Sequence, residues 1–175
     1  GSKSVRGLTN TTMQWRTGAS GICQLDGTGN CLGCRVDLLT AQTGSLGEKQ
    51  VTNPLLLSGT VPKVLFNTLI PETNACTAGG RGLKMVINPK NCGRPAEQVF
   101  DVDGDGEITS ADMIGGTIPV AGVDPGIGIL SEPTVIRDSA TGTDISVESG
   151  SSGDISTERL GGGVKGGRQS WRQLR

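Results

Sequence analysis

Val64-Leu-Phe-Asn-Thr-Leu-Ile-Pro71 decides the fold class. Its β-branched, aromatic and aliphatic side chains suit a pleated, half-buried strand, and Pro71, without a backbone N–H, ends it. Leu83-Lys-Met-Val-Ile87 reads the same way and is closed by Asn88-Pro89. Working outward, Pro54-Leu-Leu-Leu57, Thr117-Ile-Pro-Val120, Pro133-Thr-Val-Ile136 and Thr143-Asp-Ile-Ser-Val147 complete the set of predicted strands. Clusters of Gly, Pro, Asn and Ser between them favour turns, and no window sustains a 3.6-residue apolar period. The chain therefore reads as all-β, as a sandwich, a barrel or propeller blades.

An internal repeat bears on that choice. Gly47-Glu-Lys-Gln-Val-Thr-Asn-Pro-Leu-Leu-Leu57 aligns with Gly126-Ile-Gly-Ile-Leu-Ser-Glu-Pro-Thr-Val-Ile136, 79 residues on. Each copy has a Gly, a polar residue before Pro, then aliphatics, a Gly-containing turn and a second strand. Pro at the first position of a strand breaks no ladder. A unit that recurs with a long insertion between copies is the pattern of blades in a radial array.

Composition limits what such a chain can do alone. Of 175 residues, 29 are Gly and none is His or Tyr; apolar residues make up 34%. Ordinary domains reach about 45–50% with Gly included. Gly buries little and costs much backbone entropy to order. The expectation is a piece of a longer protein, with further blades outside it. No stretch nears the roughly 20 apolar residues of a membrane-spanning helix. A net charge of −1 gives no electrostatic reason to expect nucleic acid. The absence of His excludes Ser-His-Asp and Cys-His catalysis and any His-ligated metal, so an enzyme is not expected.

Five cysteines, Cys23, Cys31, Cys34, Cys76 and Cys92, are too few for a disulfide scaffold. Cys31-Leu-Gly-Cys34 is a CxxC in a Gly/Asn/Asp-rich stretch read as loop, without the second pair a zinc knuckle needs. One or two loop-stapling disulfides in an exported protein fit better. Cys76 and Cys92 flank a strand and would staple a hairpin; two of the other three are free to pair.

The most specific motif is Asp101-Val-Asp-Gly-Asp-Gly-Glu-Ile-Thr-Ser-Ala-Asp112. It matches the EF-hand-like calcium loop D-x-[DN]-x-[DN]-G-x₅-[ED], with Asp in place of the usual final Glu. Ca²⁺ takes six to eight hard oxygens, and a tight loop presents alternate side chains inward. Asp101, Asp103 and Asp105 would supply carboxylates, Gly106 the bend, and Glu107 its backbone carbonyl. Ile108 is the apolar anchor, Thr109 a ligand directly or through water, and Asp112 closes the site. Gly115-Gly116 and Pro119 rule out a long helix after the loop. A single static site suits this better than a paired sensor.

From Gly150 onward the sequence reads as loop-like. Arg159, Lys165, Arg168, Arg172 and Arg175 make its end basic, and Trp171 is placed over an apolar patch as part of a surface strand and linker. The organisation is thus a Cys-containing segment over 1–35, a blade region with the calcium loop over 36–160, and a basic Gly-rich tail over 161–175.

Several of these segments resemble the C-terminal region of the PilC/PilY family of type IV pilus tip-associated biogenesis proteins. They are Gly47-Glu-Lys, Val64–Pro71 with Cys76 and Gly79-Gly80 after it, Val99-Phe-Asp-Val-Asp-Gly-Asp-Gly106, Gly126-Ile-Gly-Ile-Leu130 and Gly167-Arg-Gln-Ser-Trp-Arg-Gln-Leu174. Order and spacing match from about residue 35 onward. Arg81-Gly-Leu-Lys84 departs from the pattern, where the family usually has an aromatic. The resemblance implies a modified β-propeller of which this chain holds the last blades. It implies export through the periplasm and outer membrane to the fimbrium tip or cell surface. It also implies work with minor pilins in pilus assembly against retraction, and adhesion to a host or abiotic surface. Calcium held by Asp101, Asp103, Asp105 and Glu107, with Thr109 and Asp112, follows from the same resemblance. The alternative is a dockerin-like calcium-dependent docking module of a secreted enzyme or scaffold, although dockerins carry two such loops with helices.

Overall fold

The computed structural model describes residues 3–7, 13–17, 31–36, 38, 47–57, 59–72, 79–138 and 140–163, with backbone alone for 13–17 and 31–33. It is all-β. The strands are β1 (Ser4–Arg6), β2 (Met13–Thr17), β3 (Cys31–Val36), β4 (Lys49–Gln50), β5 (Leu55–Leu57), β6 (Lys63–Pro71), β7 (Gly80–Arg81), β8 (Lys84–Ile87), β9 (Gly122–Asp124), β10 (Thr134–Asp138), β11 (Thr143–Ser149) and β12 (Ile155–Leu160). A central sheet runs β1-β9-β8-β6-β4, with β5 and β7 also on β6; beside it are a three-stranded sheet β10-β11-β12 and a hairpin β2-β3. All pairings between these strands are antiparallel.

β6 is buried along most of its length, as its sequence requires of a central strand. Its two faces feed two apolar clusters. Leu57, Leu65, Val86, Val99, Phe100, Val120, Val123 and Leu160 form one; Phe66, Ile70, Leu83, Met85 and Ala121 form the other, with Val36 of β3 against it. The central sheet is thus covered on both sides. The two copies of the repeat are the hairpins β5–β6 and β10–β11. They touch at equivalent positions, where Asn53 Nδ2 donates to Glu132 Oε1 at 3.1 Å.

Four expectations are corrected. Thr117–Val120 is not a strand: Ile114 and Ile118 exchange backbone hydrogen bonds of 2.9 and 3.1 Å around Gly115-Gly116, and Pro119 offers no donor to extend the ladder. The CxxC lies on β3, because pairing with β2 supplies a ladder that its composition does not advertise. The segment after Gly150 is not all loop, since Ile155–Leu160 is β12, bonded along its length to β11. It reads as polar because its inward positions include Glu158, 2% exposed. Finally, Cys92 pairs with Cys34 rather than Cys76 (Cα–Cα 5.6 Å), tying β3 to the turn after β8. That turn, in which Cys92 N–H bonds Asn88 O and Cys92 has φ 55°, places Cys92 beside β3. Cys23, Cys76 and Trp171, with the tail beyond residue 163, lie outside the described residues, as does the Cys31 side chain.

Buried ion pairs tie the layers together where apolar side chains are scarce. Arg6 on β1 donates through both terminal nitrogens to Glu48, each at 2.7 Å, and Thr68 Oγ1 donates to the same carboxylate at 2.7 Å. Lys84 on β8 crosses to the three-stranded sheet, 2.6 Å from Glu148 and donating to Ser146 Oγ at 2.8 Å. Burial pushes the Glu148 and Glu158 carboxyls above, and the Lys84 ammonium below, their ordinary ranges; the facing opposite charges offset part of this.

Candidate metal centre

The loop Asp101–Asp112 leaves the core at Phe100, fully buried and bridged to Leu160 of β12. Gln98 anchors its base: its amide donates to Phe100 O at 2.7 Å and accepts from Val120 N at 2.8 Å. From that fixed point the chain turns sharply. Gly104 and Gly106 have φ of 79° and 90°, a left-handed region that any side chain would resist.

Asp101 organises the turn. Its Oδ1 accepts from Gly104 N at 2.7 Å and its Oδ2 from Gly106 N at 3.0 Å, which folds the loop back over its own first carboxylate. Asp103 accepts from Asp105 N at 3.1 Å and Asp105 from Glu107 N at 2.7 Å, two successive Asx turns. The result brings oxygens of Asp101, Asp103 and Asp105 within 4.8 Å of one another, the first buried and the other two exposed. These three could hold a metal ion. All the donors in the cluster are hard oxygens, so the site fits a hard divalent cation and not one that selects nitrogen or sulfur.

The other three candidates take different places. Asp112, 2% exposed, lies outside that cluster. Its Oδ1 accepts from Val102 N (2.6 Å) and Asp103 N (3.3 Å), its Oδ2 from Thr109 N (2.8 Å). It therefore closes the loop by stitching its two ends. Thr109 caps a three-residue 3₁₀ turn, Ser110–Asp112, by accepting from Ala111 N at 3.1 Å. The Glu107 side chain is exposed. Ile108 lies over Gly161, where a Cβ would come within 2.7 Å of its Cδ1, so the anchor fixes the loop to the exit of β12.

Two neighbours of the loop have no counterpart in the motif. Lys3, just before β1, donates to Asp101 O at 2.8 Å and to both oxygens of Glu158 at 2.9 and 2.8 Å. Only a fold that brings residues 3, 101 and 158 together could reveal it. A cleft of about 800 Å³ also runs beside the loop, walled by Glu107, Thr109, Thr141, Arg159 and Gly162 among others. Among the described residues no helix is long and apolar enough to cross a membrane.

No protein-family model matches the chain, and no curated protein matches it in sequence. Its fold is similar to a solved structure, the C-terminal domain of PilY1 from Pseudomonas aeruginosa. The TM-score is 0.58 at 19% identity, over 80% of this chain and 25% of that one. This chain thus spans about a quarter of the length of the solved one, and the likeness is one of fold: an all-β unit like part of the PilY1 C-terminal domain.

Proposed function

We propose that this chain is a calcium-binding set of β-propeller blades from an exported type IV pilus biogenesis factor and tip adhesin. It acts at the fimbrium tip or cell surface with minor pilins, favouring pilus extension over retraction and contacting a host or abiotic surface. The role is non-catalytic. The observation that carries the pilus reading is the fold likeness to the PilY1 domain. Calcium is supported by three carboxylates on a glycine-hinged loop, whose adaptable geometry suits Ca²⁺ better than the strict octahedron of Mg²⁺. Among the described residues the loop ends in a three-residue 3₁₀ turn and lies between β8 and β9 with no α-helix beside it in sequence, which does not favour a dockerin-like module.

The propeller reading is supported by the register of the repeat. In the first unit the row Leu55–Leu65–Val86 faces the three-stranded sheet. Its counterparts in the second unit, Thr134–Val147–Thr157 and Ile136–Ile145–Arg159, lie on the outward face. Ile136 and Ile155 stand 58% and 70% exposed there. Units that repeat this relation stack in one direction, each covering the face of the one before.

The experiment is deletion and complementation in the source organism. Loss of the encoded protein should abolish surface pili and twitching, and an Asp101→Ala copy should restore expression without restoring calcium-dependent piliation. Intact piliation and motility after deletion would sink the pilus reading.

A further inference from the structure

We infer that β1 is a strap across the metal loop, so that cation binding and the docking of β1 onto β9 reinforce each other; this rests on the loop being a metal site. The strand is held at both ends by the two ends of the loop. At its start Lys3 donates to the backbone carbonyl of Asp101, the first loop residue, and is paired bidentately with buried Glu158. At its finish Gly7 lies against Ile114, just past the loop, where a Cβ would stand 3.1 Å from Ile114 Cδ1. Between them Val5 packs into the same apolar cluster as Val102 and Ile114.

β1 is also held through its Arg6 side chain, paired with buried Glu48. Its backbone is short, three residues, and among the described residues it has one ladder neighbour, Ser4–Arg6 against Gly122–Asp124 of β9. Short edge strands belong to the part of a fold that opens most readily. A bound cation would draw Asp101, Asp103 and Asp105 together and fix the Asp101 carbonyl in place for Lys3. Without it their mutual repulsion favours looser loops, in which that acceptor and the Ile114 contact shift. Because the coupling is a free energy between two events, it is reciprocal: an undocked strand must also weaken cation binding.

The test uses hydrogen exchange and calcium titration on the whole chain. In the wild type, 1 mM calcium should slow exchange at least tenfold in peptides covering residues 101–114, and also in those covering 3–7 and 121–124, relative to chelator. Lys3→Met combined with Glu158→Gln removes the pair without changing net charge or leaving a buried carboxylate alone. It should weaken calcium binding by about 5–10-fold at equal ionic strength. Slowed exchange in the loop with unchanged β1 and β9 peptides overturns the strap and leaves the metal site standing. Unchanged affinity in the double variant also overturns it. No calcium uptake and no slowing in the loop removes the metal reading and the strap with it.

Discussion

Asp101→Asn separates the two tasks that Asp101 performs, loop folding and cation binding. Its carboxylate is 5% exposed and accepts the Gly104 and Gly106 N–H groups, so the substitution keeps one acceptor and loses the other bond, because an amide NH₂ cannot accept from an N–H, at a cost of about 1–3 kcal/mol. It also removes a charge from a cluster whose oxygens lie within 4.8 Å of one another. Each like-charge pair at that distance costs about 0.9 kcal/mol even at the dielectric of water. Losing two such pairs gains about 1.7 kcal/mol, which offsets most of the cost of the lost bond. In chelator the variant should therefore match the wild type within about 1 kcal/mol. With calcium at 100 times its dissociation constant the wild type gains about 2.7 kcal/mol and the variant almost nothing. At about 2–4 °C per kcal/mol for a chain of this size, that is a rise of about 5–11 °C in the wild type alone. Differential scanning fluorimetry in EDTA, Mg²⁺ and Ca²⁺ reads it, with Glu107→Gln as a control whose response should equal the wild type. If Asp101→Asn lowers the midpoint equally in EDTA and in calcium, Asp101 only folds the loop and the metal assignment is wrong.

Three further outcomes follow from the layers around the loop. Glu48→Ala leaves Arg6, whose side chain is 1% exposed, as a lone buried cation. It should cost about 3–5 kcal/mol, a midpoint drop of about 6–20 °C, whereas Arg6→Met with Glu48→Leu should recover most of it in urea melts. Cys34→Ser opens a closure between residues 58 apart, and chain entropy puts the loss near 4 kcal/mol, checked by denaturation under non-reducing conditions. Glu148 has a raised carboxyl pKa from burial, so between 4.5 and that raised value the folded chain holds more protons than the unfolded one. Stability from this group therefore falls as pH rises through that window. Relative to Glu148→Gln, the wild type should gain stability between pH 8 and pH 5 in chelator; a gap that narrows on acidification contradicts the assignment.

How much of this the sequence showed depends on where the signal was local. β6, β8, β5, β10 and β11 were legible because β-branched and aliphatic runs bounded by turn residues carry their own evidence. So were the spacing of Asp101, Asp103 and Asp105 and the anchor at Ile108, since twelve consecutive residues fold one loop. Strands of two or three residues, such as β1, β4, β7 and β9, are too short for any period and exist only through their partners. β12 was hidden for a different reason: its alternation is inverted, with Glu158 inward and Ile155 outward. The role of Asp112 was half visible. The spacing casts it as the last metal ligand, whereas in the structure it lies outside the cluster and backbone N–H groups take both its oxygens.

That inversion accounts for how so Gly-rich a chain holds its layers together. The faces of β6 and β8 that meet the three-stranded sheet include Lys63 and Lys84, and the facing sheet offers Asp144, Glu148 and Glu158, all at most 3% exposed. Each apolar pair that composition withholds is replaced at these places by opposite charges reaching between elements far apart in sequence. Such pairs stabilise only while both partners stay in place, because a buried charge left alone costs several kcal/mol. They also transmit displacement, since moving Asp101 disturbs Lys3, and through it Glu158 on β12. A metal loop set at one end of this network is therefore placed to influence the edge strand and the three-stranded sheet together, which an isolated loop on an oily core could not do.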